Sequence, residues 1–277
     1  MPRSWPAEVV TLVRGRNLLL AAAGVAIGGA LALGRVALPR ELVLALLSAI
    51  GLGAVGNTAN DLWDVEADRV NKPLRPLVSG GALSRDAALW IGGVAGGLGL
   101  LCAWLAGPTV FAIGLPALVV MLAYSPLLKP RPVLGNAVVS VIGSLPLVYG
   151  AGAVGDWHAG LVPFWLAALL HAGREIVKDL EDVPGDLAAG RRTIPIAWGR
   201  RAGFVAAAVP LVVFVPGALV PWVAGSYGVR YGSIVVLVVI GVGAIATRLL
   251  SEQMGGARAG LKLAMALGLL ALLWDRL

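Results

Sequence analysis

Long apolar runs separated by short charged segments are the dominant pattern along the chain. Residues 94–124, for example, contain no charged side chain. Roughly 18 or more consecutive apolar residues match the thickness of the hydrocarbon core of a bilayer when they form a helix. The pattern predicts nine spans, at residues 14–34, 41–60, 87–106, 109–128, 133–152, 159–179, 202–223, 231–250 and 258–275.

The composition supports a membrane protein over a soluble one. Of the 277 residues, 58% are hydrophobic and 13% are charged, whereas soluble domains carry about 25% charged residues. The first span has the basic and apolar parts of a signal peptide, but eight further spans follow it, which favours a retained helix. We therefore predict an all-α, polytopic membrane protein, with residues 1–277 as a single domain in the lipid bilayer and no nucleic-acid partner.

Basic residues are concentrated on one side of the predicted bundle. Nine spans put the termini on opposite sides of the membrane, and 18 of the 22 Lys and Arg residues fall on the side of the N-terminus. Cytoplasmic segments carry the excess of Lys and Arg, so this side is predicted to face the cytoplasm of the cell. The same side holds 12 of the 15 acidic residues. Orientation does not explain them, because Asp and Glu contribute little to it.

The first acidic cluster is the stretch NDLWDVEAD, residues 60–68, at the end of the second span. Asn60, Asp64 and Asp68 are spaced by four residues. Each step of four on a helix advances about 40° beyond a full turn, so the three side chains are predicted to lie on one helix face.

The second acidic cluster lies in residues 174–195, where Asp182 and Asp186 repeat the spacing of four. The separation is 118 residues both from Asp64 to Asp182 and from Asp68 to Asp186. Each pair follows an even-numbered span, the second and the sixth. The pattern therefore predicts two pseudo-repeated halves of four helices plus one further helix, with the two acidic faces free to oppose one another.

Two interpretations of the acidic clusters compete. Acids at the end of a membrane helix often form a solvated rim that pairs with nearby Lys or Arg, but two clusters of equal spacing on one side favour a functional site. Carboxylate and amide oxygens suit Mg²⁺, which completes its shell with water and phosphate oxygens. The clusters therefore predict a diphosphate bridged by Mg²⁺. Its oxygens would be held by the adjoining basic residues, Lys72, Arg75, Lys129, Arg191 and Arg192.

Two further expectations follow from these clusters. Like charges crowd within each one, so replacing an aspartate by alanine is predicted to leave stability unchanged or higher without metal. A cation-coupled transporter, which also carries acids inside a membrane bundle, is the alternative of another class. Acids confined to helix ends on one side favour an enzyme instead.

Both acidic stretches resemble the motifs of a known family. NDLWDVEAD resembles the NDxxDxxxD signature of the UbiA superfamily of intramembrane prenyltransferases, and DVPGD resembles its second motif, DxxxD. RGRN, RPLVSG and YSPLLK also fall where that family has similar stretches. The resemblance extends over nearly the whole chain and implies nine helices, a prenyl diphosphate substrate and Mg²⁺ as the cofactor.

The resemblance also implies roles for individual residues. The implied metal ligands are Asn60, Asp64, Asp68, Asp182 and Asp186, of which the four aspartates are the catalytic residues. Lys129 and Arg75 would contact the diphosphate, with Arg14 and Asn17 close to the polar part of the acceptor. The isoprenoid tail would lie in an apolar chamber that opens sideways to lipid.

The acceptor is the least determined part of the prediction. REIVKDLEDVPGD and LKPRPVLGN most resemble the archaeal branch of the family, which makes ether lipids, so a prenylated glycerol phosphate is the predicted acceptor. An aromatic acid of the 4-hydroxybenzoate type is the alternative.

Aromatic and histidine side chains are candidates for further roles. The face of Tyr124 or Tyr149 could shelter an allylic cation, with packing as the alternative for either residue. His158 and His171 have no His or Cys partner at ligand spacing, and we interpret both as structural.

Overall fold

The computed structural model describes residues 4–277. Nine helices in this part of the chain are long and apolar enough to cross a membrane, which confirms the predicted number of spans. The helices are α1 (Trp5–Leu12), α2 (Gly15–Leu33), α3 (Arg40–Trp63), α4 (Val65–Asn71), α5 (Arg85–Ala106), α6 (Pro108–Ala123), α7 (Leu134–Ala153), α8 (Leu161–Ala188), α9 (Ile194–Trp198), α10 (Arg200–Val223), α11 (Val229–Leu250) and α12 (Ala257–Trp274). A π-helical turn, Tyr124–Leu128, extends α6, and a 3-10 turn, Trp157–Gly160, precedes α8.

The spanning helices form two similar halves plus α12. The second spanning helix of each half is followed by a short helix, so that α4 follows α3 and α9 follows α8. In both halves this second helix packs extensively against the third, α3 against α5 and α8 against α10. The first helices of the two halves, α2 and α7, pack against each other, and α12 packs against α2, α8 and α11. The predicted architecture is confirmed.

Two features of the structure differ from the sequence prediction. The predicted sixth span ends at residue 179, but α8 continues to Ala188. The predicted span stops at residue 179 because the charged residues that follow are too polar for a membrane span. The short helices α1, α4 and α9 were also not predicted, since none of them is long enough to be detected by an apolar span.

Small residues allow the spanning helices to approach closely, as is common in lipid. A Cβ atom on Gly51 of α3 would lie 2.5 Å from the carbonyl oxygen of Ala95 and 2.9 Å from the Cα atom of Gly99, both on α5. Large apolar side chains such as Leu237 and Ile240 of α11 are exposed on the outside of the bundle. This outer surface suits contact with acyl chains.

A cavity of about 960 Å³ lies inside the bundle, lined by residues of α2, α3, α4, α6, α7, α8, α11 and α12. Charged side chains line it where α3 and α8 end and near the starts of α2 and α12, and apolar side chains line most of its remainder. The fold therefore joins a polar site to an apolar chamber.

Candidate active site

The first aspartate motif lies at a break between two helices. Helix α3 ends at Trp63, and Asp64 has φ −90° and ψ 7° before α4 begins at Val65. The backbone N–H of Asp64 still donates to the carbonyl oxygen of Asn60 (2.9 Å), and that of Asp68 donates to Asp64 (2.8 Å). The spacing of four is therefore kept across the break, and all three side chains line the cavity.

The second motif lies on the last turns of α8, where Asp182 and Asp186 line the same cavity. Pro184 interrupts the hydrogen bonding of this helix because it has no backbone N–H. The carboxamide of Asn71 donates to the carbonyl oxygen of Asp182 (2.9 Å) and accepts from the N–H of Gly185 (3.0 Å). Asn71 thus ties α4 to α8 and holds the two motifs together.

The π-helical turn after α6 brings two further polar groups to the first motif. The backbone N–H of Lys129 donates to the carbonyl oxygen of Tyr124 (2.7 Å), five residues earlier. Such turns change the direction of side chains and are frequent at functional sites. The Nζ atom of Lys129 contacts Asp64, and the amide of Asn60 donates to the hydroxyl of Ser125 (3.1 Å).

Cationic side chains connect the two motifs to each other. Arg191 donates to Asp64 from Nη2 and to Asp186 from Nη1, the second at 3.0 Å. The Nζ atom of Lys72 lies 3.0 Å from Asp182 and 3.4 Å from Asp68. Each of these two cations therefore bridges an aspartate of the first motif and one of the second.

The electrostatics of the site follow from this pairing. Burial alone would raise the pKa of the Asp64 carboxyl, but the charges of Lys129 and Arg191 outweigh burial and hold the pKa below its ordinary value. Burial lowers the pKa of the Lys129 ammonium to about 8, against the attraction of Asp64. The site is therefore a compact arrangement of anionic and cationic groups in mutual contact.

Asp61, which lies outside the spacing of four residues in the first motif, organises two of the predicted arginines. Its buried carboxylate accepts from Arg14 (2.6 Å) and from Arg75 (2.8 Å). Arg14 also donates to the side-chain oxygen of Asn60 (2.8 Å). Both arginines line the cavity, and Asp61 positions them there.

The structure brings most of the predicted site residues into one cavity. Those that line it are Arg14, Asn17, Asn60, Asp64, Asp68, Lys72, Arg75, Tyr124, Lys129, Asp182, Asp186 and Arg191. Arg192 does not join them, because its side chain is exposed outside the cavity. Tyr149 is buried deeper in the cavity, where its hydroxyl hydrogen-bonds that of Ser48 (2.6 Å).

The two histidines have different surroundings. His171 lines the cavity on α8, whereas His158 lies in an exposed turn with its Nδ1 atom 3.6 Å from a carboxylate oxygen of Asp156.

In residues 4–277, no three His, Cys, Asp or Glu side chains converge tightly enough to enclose a metal ion. The aspartates contact Lys72, Lys129 and Arg191 instead.

The donor set nevertheless fits Mg²⁺. Asn60 and the four aspartates present hard oxygen atoms on opposing sides of one cavity, and Mg²⁺ is held in phosphate sites by one or two carboxylates plus water and substrate oxygens. A single close-fitting cage of protein ligands is therefore not required for this ion.

The site combines opposed carboxylates with cations suited to phosphate, and it lies at the end of an apolar chamber in an all-α membrane bundle. These features are those of an intramembrane enzyme for an anionic lipid substrate. Residues 19–273 match the model of the UbiA prenyltransferase family. The chain therefore belongs to this family, and the enzyme is a prenyltransferase.

Individual relatives support this assignment. The digeranylgeranylglyceryl phosphate synthase of Natronomonas pharaonis is 36% identical over 273 residues, covering 97% of this chain and 96% of the relative. A solved structure of a digeranylgeranylglyceryl phosphate synthase in membranes has a TM-score of 0.79 and 25% identity, covering 98% of each chain. A UbiA homologue from Archaeoglobus fulgidus, bound to GPP and Mg²⁺, has a TM-score of 0.63 and 17% identity, covering 96% of this chain and 99% of its own.

Proposed function

We propose that the protein transfers a prenyl group from a prenyl diphosphate, with Mg²⁺, to a hydroxyl of a prenylated glycerol phosphate in membrane ether-lipid synthesis. The observation that carries the proposal is the convergence of both aspartate motifs on one polar site, bridged by Lys72 and Arg191, at the end of an apolar chamber. The name shared by the Natronomonas relative and the solved synthase supports the acceptor. The Archaeoglobus homologue supports the metal and the donor.

In this proposal the aspartates and Asn60 would hold Mg²⁺, and the ion would supply Lewis-acid neutralisation of the leaving diphosphate. Lys129, Arg191 and Lys72 supply N–H donors for the diphosphate oxygens, and charge-assisted hydrogen bonds of this kind are strong. The allylic carbon–oxygen bond breaks and the electron pair leaves with the diphosphate. Tyr124, which lines the cavity, presents an aromatic ring to the resulting cation.

The acceptor hydroxyl then attacks the allylic carbon, and its proton passes to the departing diphosphate or to a neighbouring carboxylate as the new ether bond forms. Water would compete for the same cation, so the reaction needs a site from which it is excluded. The apolar lining of the chamber serves this purpose, with residues such as Leu52, Met121, Val139 and Ile142 around the prenyl chain. The chamber thus determines which hydroxyl reaches the cation.

An assay of purified protein tests the proposal. Geranylgeranyl diphosphate and geranylgeranylglyceryl phosphate, with Mg²⁺, are expected to yield a doubly prenylated glycerol phosphate, detected by mass spectrometry. EDTA should stop the reaction and added Mg²⁺ should restore it. A higher kcat/KM with 4-hydroxybenzoate than with the glycerol phosphate would assign the protein to the aromatic-acid alternative. Transfer that survives exhaustive chelation would exclude the metal mechanism.

We further propose that the N-terminus and the candidate active site face the cytoplasm, on the basis of the 18 of 22 basic residues on that side. In a Cys102→Ala background, cysteine at the exposed position Arg131 is expected to react with a membrane-impermeant reagent from the cytoplasmic side only. Cysteine at Asp156, whose side chain is 55% exposed, should react from the outside only. Labelling of both positions from the same side would contradict the nine-span topology.

A further inference from the structure

A second group of basic side chains lines the cavity outside both aspartate motifs. It consists of Arg16 on α2, Arg174 on α8, and Arg258 and Lys262 on α12, and we call it the lateral basic cluster. Helix α12 packs against both α2 and α8, which brings these residues to one region of the cavity despite their distance in sequence.

The lateral basic cluster carries more positive charge than its neighbours neutralise. Arg174 pairs with Glu175 (2.5 Å), and Arg258 pairs with Glu181 (2.8 Å). Within residues 4–277, neither Arg16 nor Lys262 forms an ion pair. Glu175 also pairs with Lys178 (3.3 Å), so one carboxylate is shared by two cations and the region keeps an excess of positive charge that an anion would balance.

Arg174 provides an independent sign that the cluster binds a ligand. Its side chain is only 13% exposed, and its Nε–H is buried without a hydrogen-bond partner in the described part of the chain. Leaving a buried donor unpaired is unfavourable, and an anion in the cavity would satisfy it. Arg201, by contrast, has a side chain that is 88% exposed and lies outside the cavity, as expected for a residue that only adds positive charge to this side.

Arg258 reaches Glu181 (2.8 Å), the residue next to Asp182, but Arg174 lies further from the aspartates. Arg174 precedes Asp182 by eight residues on α8, which corresponds to about 12 Å along the helix axis. An anion held by Arg174 and Lys262 therefore lies deeper in the bundle than a diphosphate held at Asp182 and Asp186. The cavity can hold two anionic groups at once.

The apolar part of the cavity has two walls. One wall comes from α3, α6 and α7, and includes Gly53, Gly56, Met121, Val139 and Ile142. The other comes from α11 and α12, and includes Val235, Val238, Met265, Leu269 and Leu272. Helix α2 packs against both α3 and α12. The wall from α11 and α12 therefore adds apolar lining to that from α3, α6 and α7.

We propose that the lateral basic cluster binds the phosphate of the lipid acceptor, whose prenyl chain lies along α11 and α12. This inference rests on the proposed function for the identity of the acceptor. The free hydroxyl of a glycerol phosphate ether is on the carbon atom next to the one that carries the phosphate. Anchoring the phosphate at the cluster leaves that hydroxyl facing the allylic carbon of a donor held at the aspartates. The cluster thereby selects phosphorylated over neutral glycerol ethers.

Kinetics with two acceptors test this site. Lys262→Gln is expected to lower kcat/KM for the phosphorylated acceptor by about tenfold or more, the effect of losing one charge-assisted hydrogen bond. The KM for the prenyl diphosphate should not change, and neither should kcat/KM for the same glycerol ether without its phosphate. Arg16→Gln should reproduce this pattern, and the matched control Arg201→Gln should behave as wild type. Equal losses with both acceptors, or a raised KM for the prenyl diphosphate, would overturn the proposal.

A binding measurement separates this inference from the proposed function. In a neutral detergent without donor, the phosphorylated acceptor lipid should raise the Tm of the wild type more than that of Lys262→Gln, because a ligand stabilises the state it binds. Inorganic phosphate at the same concentration should raise it less, and an equal rise would make the cluster a site for free phosphate. If the lipid binds as expected but no transfer occurs with any donor, the proposed function fails and the binding site stands. If the lipid does not distinguish the two proteins, the binding site is wrong even where transfer occurs.

Discussion

Asp64→Asn is expected to lower prenyl transfer by at least about a hundredfold, the scale of removing one group that stabilises transition-state charge. The amide keeps the size of the side chain but lacks the negative charge that contacts both Lys129 and Arg191. It is therefore a poorer ligand for Mg²⁺, and it no longer holds the two cations in place. Steady-state kinetics with saturating Mg²⁺ and prenyl diphosphate measure the loss.

Stability distinguishes a loss of chemistry from a loss of folding in this variant. The crowding of like charges along the sequence predicts no loss of stability, but the ion pairs in the structure reverse that expectation. Without Asp64, Lys129 and Arg191 face each other without their shared partner, so the free energy of unfolding should fall by about 1–3 kcal/mol. If Asp64→Asn still unfolds cooperatively, but Mg²⁺ with prenyl diphosphate does not raise its Tm, the result would fit the proposed role of Asp64.

The control for Asp64→Asn is Glu66→Gln, which changes an exposed carboxylate outside the cavity only two residues away. Its transfer rate and its response to Mg²⁺ should match those of the wild type. Full activity in Asp64→Asn would remove Asp64 from the set of metal ligands. A similar loss in both variants would show that net charge on this side, and not the site, determines the rate.

Gly185→Ala is expected to reduce both stability and activity, although it adds only a methyl group. A Cβ atom at this position would lie 2.5 Å from the Cγ atom of Asn71 and 2.7 Å from the carbonyl oxygen of Ala67. Overpacking of this kind costs about 1–3 kcal/mol. Because Asn71 joins α4 to α8, the clash should also separate the aspartate motifs, and a displacement of about 1 Å at a reacting group can reduce the rate by about a hundredfold.

Thermal unfolding and kcat/KM on the same preparation check the Gly185→Ala prediction. The control is Gly93→Ala on α5, where an added Cβ meets no atom within 4 Å. That change should be neutral or slightly stabilising, because alanine favours a helix over glycine. Wild-type activity in Gly185→Ala would mean that the contact between α4 and α8 does not position the aspartates.

The extent to which the site could be predicted differs from residue to residue. Asp64, Asp68, Asp182 and Asp186 could be found because their spacing and their repeat after 118 residues are visible in one dimension. Asn71 could not, because a single polar residue after a helix carries no periodic signal. Its role arises only where α4 meets the proline-interrupted end of α8.

The partners of the charged side chains could not be predicted from the sequence either. Arg14 was expected near the acceptor, but Asp61 and Asn60 bind its guanidinium. Arg191 and Arg192 are indistinguishable by composition, yet the first bridges the two motifs and the second is exposed. Neighbouring residues at the end of a helix point in different directions, so only the path of the backbone decides which one reaches the cavity.

The sequence by itself determined the number of membrane spans, the all-α class, the pairing of two four-helix halves and the aspartate motifs. Each of these depends on hydrophobicity or spacing along the chain, because a bilayer requires long apolar helices whose backbone groups are satisfied internally. Only the tertiary structure decided which cations bridge the motifs, how Asn71 holds them together, and that Arg16, Arg174, Arg258 and Lys262 form a second basic group. The physical reason is that contacts between helices depend on their packing and rotation, which bring together residues that no pattern in one dimension connects.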